Sequence, residues 1–129
     1  MKKELEEQLK NKYPNLYETS FSFSCSDGWY NIIADTSMLI NLSLSSLPEE
    51  LQNQIKMVQV KEKFGTLRIY TNHTTPYISG VIDCAELFSS RVCEFCGEAG
   101  TLRLVKGYYF TGCQKHFEEQ REIRRDINL

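Results

Sequence analysis

A chain of 129 residues with 41% hydrophobic and 25% charged residues has the size and composition of one modest globular domain, which excludes wholesale disorder. The formal net charge is −2, so the broad basic excess of a protein that grips phosphate over a wide surface is missing. From Arg91 onward seven Lys and Arg face six Asp and Glu, and the first ninety residues hold eight against eleven, leaving only a local patch for any nucleic-acid contact.

The start, MKKELEEQLKNKYPNLY, has no apolar run behind its basic opening, and no segment reaches the roughly eighteen apolar residues of a spanning helix. Neither a signal peptide nor a membrane partner is expected. Five cysteines are an odd number, three of them claimed by a metal below, and a reducing, cytoplasmic location is the expectation.

Residues 2–12 read as a short charged helix ended by the bias of Pro14 against a helical residue before it. Its apolar stripe, Leu5, Leu9 and Tyr13, is thin, as in a loosely docked terminal helix. Phe21, Phe23 and Cys25 then alternate with serines at strand spacing. Ser26 or Asp27 is placed to cap a helix from Gly28 towards Ser43, with Trp29, Ile32, Ile33, Thr36 and Ile40 on its core face. Pro48 opens a short helix with Glu49 and Glu50 at its positive end.

Residues 57–60 and 66–70 read as strands around KEKFG, with Gly65 suited to a left-handed turn or bulge. Leu67 and Ile69 share one face of the second strand and Arg68 and Tyr70 the other, so Lys61, Lys63 and Arg68 gather near the hairpin. Thr74 or Thr75 before Pro76 begins a second long helix to about Ser90. Ile78, Val81, Ile82, Ala85 and Phe88 make its apolar side, with Cys84 at the edge.

The strongest chemical signal follows. Cys93 and Cys96 form C-x2-C, Cys113 and His116 form C-x2-H, and sixteen residues separate the pairs. Three thiolates and one imidazole make the soft tetrahedral set that suits Zn2+, and four protein ligands leave no position for water or substrate. The zinc is therefore expected to be structural. Gly97 frees the backbone beneath the sulfurs. TLRLV and YYFT flank Lys106 and Gly107 as a hairpin, and Cys113 and His116 fall in the first turn of the last helix. A knuckle, a hairpin and a helix that gives the last two ligands resemble the treble-clef zinc finger over residues 93–125.

Other reactive groups are isolated. His73 lies in the loop TNHTTP, with no nucleophile or paired carboxylate nearby in sequence. Cys25 stands near a helix start, which can lower a thiol pKa, and Cys84 is the remaining thiol, but each is read as buried and inert. A treble-clef nuclease needs further histidine and acidic ligands. The last helix offers Glu118, Glu119 and Glu122 but no second histidine, so no catalytic residue is assigned. Arg121, Arg124 and Arg125, with Lys115, Arg103 and Lys106, form a candidate binding surface beside the zinc, interrupted by those glutamates and Asp126. Tyr108, Tyr109 and Phe110 are consecutive, so at least one ring points away from the core, and Tyr108 joins the candidate surface.

CSDGWYNII, VQVKEKFGTLRIY, CEFCGEAG and GYYFTGCQKH together resemble a family of small zinc-containing proteins from bacteriophages, prophages and bacteria. The resemblance runs over residues 17–116, maps the aspartate-glycine-tryptophan start to Asp27, Gly28 and Trp29, and implies a phage accessory or host-interaction role. The expectation is a small α+β domain with a central β-hairpin, flanking helices and a treble-clef-like zinc module. Residues 1–91 and 92–129 would pack as one unit. A protein partner is the favoured reading, with nucleic-acid binding and a small hydrolase or nuclease as the alternatives.

Overall fold

The computed structural model describes residues 1–125, and Asp126 lies outside them. The elements run α1 (Lys3–Lys12), a 3-10 turn (Asp27–Trp29), α2 (Tyr30–Leu44), a second 3-10 turn (Glu49–Leu51), β1 (Met57–Lys63), β2 (Thr66–Thr71), α3 (Pro76–Ser89), β3 (Thr101–Val105), β4 (Tyr108–Gly112) and α4 (Gln114–Arg124). This is the α+β arrangement expected, with two antiparallel hairpins, β1–β2 and β3–β4.

The central hairpin is tighter than its sequence suggests. Lys61, Glu62 and Lys63 belong to β1, pairing with Arg68, Leu67 and Thr66. The turn is only Phe64 and Gly65, with φ of 51° and 87°. Two consecutive left-handed residues give the turn whose twist matches a two-residue hairpin. Glu62 fixes it by accepting the Gly65 N–H at 2.7 Å.

Val60, Leu67 and Ile69 point into the core, while Val58 and Tyr70 face outward, so the alternation is that of a sheet covered on one face. Both edges are occupied. Ser24 brackets β1, donating to Val60 and accepting from Glu62. Along β2, Ser89 Oγ accepts from Leu67 N at 2.9 Å and Glu86 Oε2 from Ile69 N at 3.1 Å. Side chains of α3 thus satisfy amides that an open edge would present for pairing with another chain.

The core joins α1, α2, α3 and this hairpin. Trp29, Ile33 and Ile40 of the α2 segment meet Val60, Leu67, Ile78, Leu9 and Leu16, all fully or almost fully buried. A buried hydroxyl pair, Tyr17 to Ser37 at 2.6 Å, crosses it. The Thr75 side chain caps α3 by accepting from Ile78 N, with Pro76 in the first turn.

Three local expectations are corrected. First, α1 is firmly docked. Leu9 and Tyr13 are buried, Glu6 accepts the Phe23 N–H at 2.9 Å, and Lys10 donates to the carbonyls of Thr19 and Phe21. Second, neither Ser26 nor Asp27 caps α2 with its side chain. Asp27 instead accepts from Lys2 N at 2.7 Å, because the chain here is held from outside the helix. Third, Phe88 is 54% exposed, since α3 needs only Ile78 and Ala85 to meet the core fully.

Candidate metal centre and binding surfaces

The metal ligands are brought together by backbone turns rather than by apolar packing. Cys93 N donates to Glu98 O and Gly97 N to Cys93 O, with Gly97 at φ 83°, which closes the knuckle around the first two sulfurs. Cys113 is the residue before α4 and His116 lies in its first turn, so one rigid element aims the other pair. The β3–β4 hairpin, turned at Lys106 and Gly107, joins the two halves. The module is treble-clef-like.

The four ligand atoms lie within 4.8 Å of one another. A tetrahedron with Zn–S of about 2.3 Å and Zn–N of about 2.0 Å places sulfurs about 3.8 Å apart and sulfur and nitrogen about 3.5 Å apart. Cys96 and Cys113 sulfurs are 3.8 Å apart, and His116 Nδ1 is 3.4 Å from Cys93 Sγ and 3.2 Å from Cys113 Sγ. The set fits Zn2+ in size, number and chemistry. The His116 backbone N–H, followed by its ring and the neighbouring sulfurs, draws the Cys113 thiol down to about 6, towards the thiolate a metal requires. The Glu119 carboxylate stands 3.7 Å from His116 Nε2, on the side away from the sulfurs.

The zinc module is keyed into the rest of the chain at two places. The CSDGW stretch lies across the knuckle: Ser26 N donates to Glu94 Oε2 at 3.1 Å, Gly28 N to Glu94 O at 2.6 Å, and Trp29 Nε1 to Val92 O at 2.9 Å. Gly28 is essential to this approach, because a Cβ there would stand 2.1 Å from Cys93 O. The KEKFG turn forms the second key. Thr111 Oγ1 donates to Gly65 O at 2.7 Å, and Phe64 meets Tyr109 edge to face. The signature-like segments are thus places where the chain touches itself.

Glu94, between two ligands, was not singled out from sequence. It is buried, and burial pushes its carboxyl above the usual range. Its Oε1 has no hydrogen-bond partner among the described residues.

Most of the basic residues beside the zinc are engaged within the chain. Arg103 donates to Gly112 O and lies over Phe117, which Arg121 flanks at 5.5 Å. Arg124 stacks 3.6 Å above Tyr108. Arg121 pairs with Glu118, Arg125 with Glu122, and Lys106 donates to Arg125 O. Lys115 is exposed on α4. Of the three consecutive aromatics, Phe110 is buried, Tyr108 is half-buried and Tyr109 faces out.

His73 is exposed and borders a shallow depression whose other lining residues, among those described, include no acid, thiol or second histidine. Cys25 is buried, and that burial, with Glu94 adding to it, pushes its thiol up to about 12. Desolvation outweighs any lowering by the nearby helix start, so Cys25 is the buried, inert thiol expected. Cys84, expected to be buried, is instead exposed on α3.

One surface has no counterpart in the sequence reading. Between α2 and α3 runs a groove of about 680 Å³, walled by Ile32, Leu39, Tyr77, Val81 and Phe88. Cys84 and Gly80 lie on its α3 side, and Asp35 is its sole charged lining residue among those described. No protein-family model, curated protein or solved structure matches the chain.

Proposed function

We propose that the protein is a zinc-stapled accessory module that binds another protein, its metal serving the fold rather than a reaction. The observation that carries this reading is the apolar groove between α2 and α3, which exposes aromatic and aliphatic side chains in one concave surface. Surfaces of that kind mark interaction sites in soluble proteins. The ligand set supports it, since four protein ligands fill a tetrahedral site.

We place the module in a reducing, cytoplasmic setting, where three ligand thiols stay reduced. Its zinc-binding module, 92–129, and the preceding region, 1–91, act as one unit. The phage or bacterial role rests on the resemblance of CSDGWYNII, VQVKEKFGTLRIY and the cysteine segments. Nucleic-acid binding through Arg103, Lys106, Tyr108, Lys115, Arg121, Arg124 and Arg125 is the weaker reading, because ion pairs and ring stacking already occupy most of those side chains.

The test is co-purification of the zinc-loaded chain under native conditions. A protein recovered in stoichiometric amount, and lost when a bulky maleimide occupies Cys84, is expected. Retention of nucleic acid instead, lost with Arg121 and Arg124 changed to Glu, would refute the reading.

A further inference from the structure

We infer that the groove between α2 and α3 seats a basic amphipathic helix of the partner protein. The inference rests on the binding-module reading and specifies its ligand.

The walls determine the occupant's backbone. Both sides of the groove are α-helices whose own amides and carbonyls are spent within them. Thr36 Oγ1 is spent too, donating to Ile32 O at 2.7 Å. An extended peptide would bury backbone polar groups against walls that offer almost no partners, whereas a helix arrives with its own bonds made. Tyr77 and Phe88 mark the length of the α3 wall, eleven helical steps or about 16 Å at 1.5 Å per step. That is three turns, enough for apolar anchors at i, i+3 or i+4, and i+7.

Gly80 is a second, independent sign. It sits inside α3, where glycine is a poor helix former, yet a Cβ added to it would meet nothing within 4 Å. No contact among the described residues requires it. It lowers the groove wall about one turn in from Tyr77, where a docked helix can bring its backbone close.

Charge selects the partner. α2 and α3 carry Asp35, Asp83 and Glu86 and no Lys, Arg or His. Glu86 is committed to Ile69 N and Arg68. Asp35, on the groove itself, has no ion-pair or hydrogen-bond partner among the described residues. An occupant with Lys or Arg beside its apolar stripe supplies the missing cation. A second copy of this chain fits poorly. Face-to-face pairing would bring Asp35 to a surface with no cation, and α4, whose three Lys and Arg are balanced by three Glu, exposes only Ile123 among its large aliphatic residues.

The probes are three fluorescein-labelled synthetic helices of about eighteen residues, long enough to hold helical structure. They share one leucine stripe and differ in polar flanks of Lys/Arg, Gln or Glu. Anisotropy titrations of the zinc-loaded full chain are run at about 50 and about 300 mM NaCl, spanning weak and strong screening. The Lys/Arg helix is expected to bind at least about tenfold tighter than the others at low salt, a difference of about 1.4 kcal/mol. Asp35→Asn should weaken it about threefold to fivefold and flatten its salt dependence, while Glu4→Gln, the same charge change on the solvent face of α1, should not. Gly80→Leu should cut binding at least about tenfold without lowering the melting temperature, since leucine is the better helix former.

Equal binding of the Gln helix, blocked by Gly80→Leu but indifferent to Asp35, overturns the basic partner and leaves the binding-module reading standing. Binding insensitive to Gly80→Leu, or none by any of the three helices, overturns the helix assignment of the groove. Concentration-dependent dimerisation abolished by Gly80→Leu overturns it in favour of a second copy. Failure of the binding-module reading itself shows separately, as nucleic acid in place of protein in the co-purification.

Discussion

Replacing Gly28 with alanine tests the keying of the zinc module onto the core. The new Cβ would stand 2.1 Å from Cys93 O and 2.5 Å from the Glu94 carbonyl carbon and oxygen, against about 3.5 Å for an ordinary contact. All three atoms are backbone, so no side chain can swing aside. Separating the segments enough to admit a methyl breaks the Gly28–Glu94, Trp29–Val92 and Ser26–Glu94 hydrogen bonds. At about 1 kcal/mol each these give roughly 3 kcal/mol, and residual overpacking adds about 1 kcal/mol or more. With a melting entropy of about 2.1 cal/mol/K per residue, 129 residues give roughly 0.27 kcal/mol/K, so Tm should fall by roughly 15 °C. Differential scanning calorimetry of the zinc-loaded protein measures this. Gly80→Ala is the control: with open space around its Cβ, it should gain about 0.5–1 kcal/mol. A Gly28→Ala protein melting within about 3 °C of the parent would refute the reasoning, since overpacking on rigid backbone must cost more than that.

Removing zinc with a strong chelator, or changing Cys96 to Ser, should strip hydrogen-exchange protection from β3, β4 and α4 before α2 and the first hairpin; uniform loss or no loss contradicts the structural role. In zinc-loaded protein at pH 8 a maleimide should label Cys84 alone, because Cys25 at about 12 is thiolate in only about one molecule in ten thousand. Intact mass should show one adduct, and a second on the loaded protein contradicts this. The raised Cys25 pKa also fixes a pH dependence. The folded chain keeps a proton that the unfolded chain sheds, so stability falls as pH climbs from about 9 towards 12, and this group contributes nothing to the pH dependence below that window. Urea melts across that range check the slope, which Cys25→Ala should reduce. Thr111→Val keeps the shape but removes the buried bond to Gly65 O, for an expected loss of about 1–2 kcal/mol; an unchanged urea midpoint contradicts the second key.

The zinc site was legible because its information is local. Residue type and spacing alone bring Cys93 to Cys96 and Cys113 to His116, and the turn residues between them say how the halves meet. The central hairpin was legible for the same reason, although KEKFG hid how short its turn is, since Phe64 is not a residue one assigns to a left-handed position. What stayed hidden depends on distant partners. The docking of α1 runs through Glu6 and Lys10, charged residues whose hydrogen bonds to the 19–23 loop leave no periodic trace. Glu94 reads as an ordinary solvated acid until Ser26 and Thr111 are seen to enclose it. The groove is written in residues that also suit a core, and only the absence of a third helix against them among the described residues turns core face into surface.

The clasp between the CSDGW stretch and the knuckle has a consequence for the order in which the protein is made. Its bonds join residues 63 and 68 positions apart, so the indole N–H of Trp29 leaves the ribosome long before its acceptor exists. Closing a loop of that length costs roughly 4 kcal/mol in chain entropy, on the (3/2)RT ln n scale. The knuckle that must meet it is itself shaped by cysteines from the last third of the chain. Completion of the fold therefore waits on both α4 and a metal ion, and without zinc the chain would be synthesised but not closed.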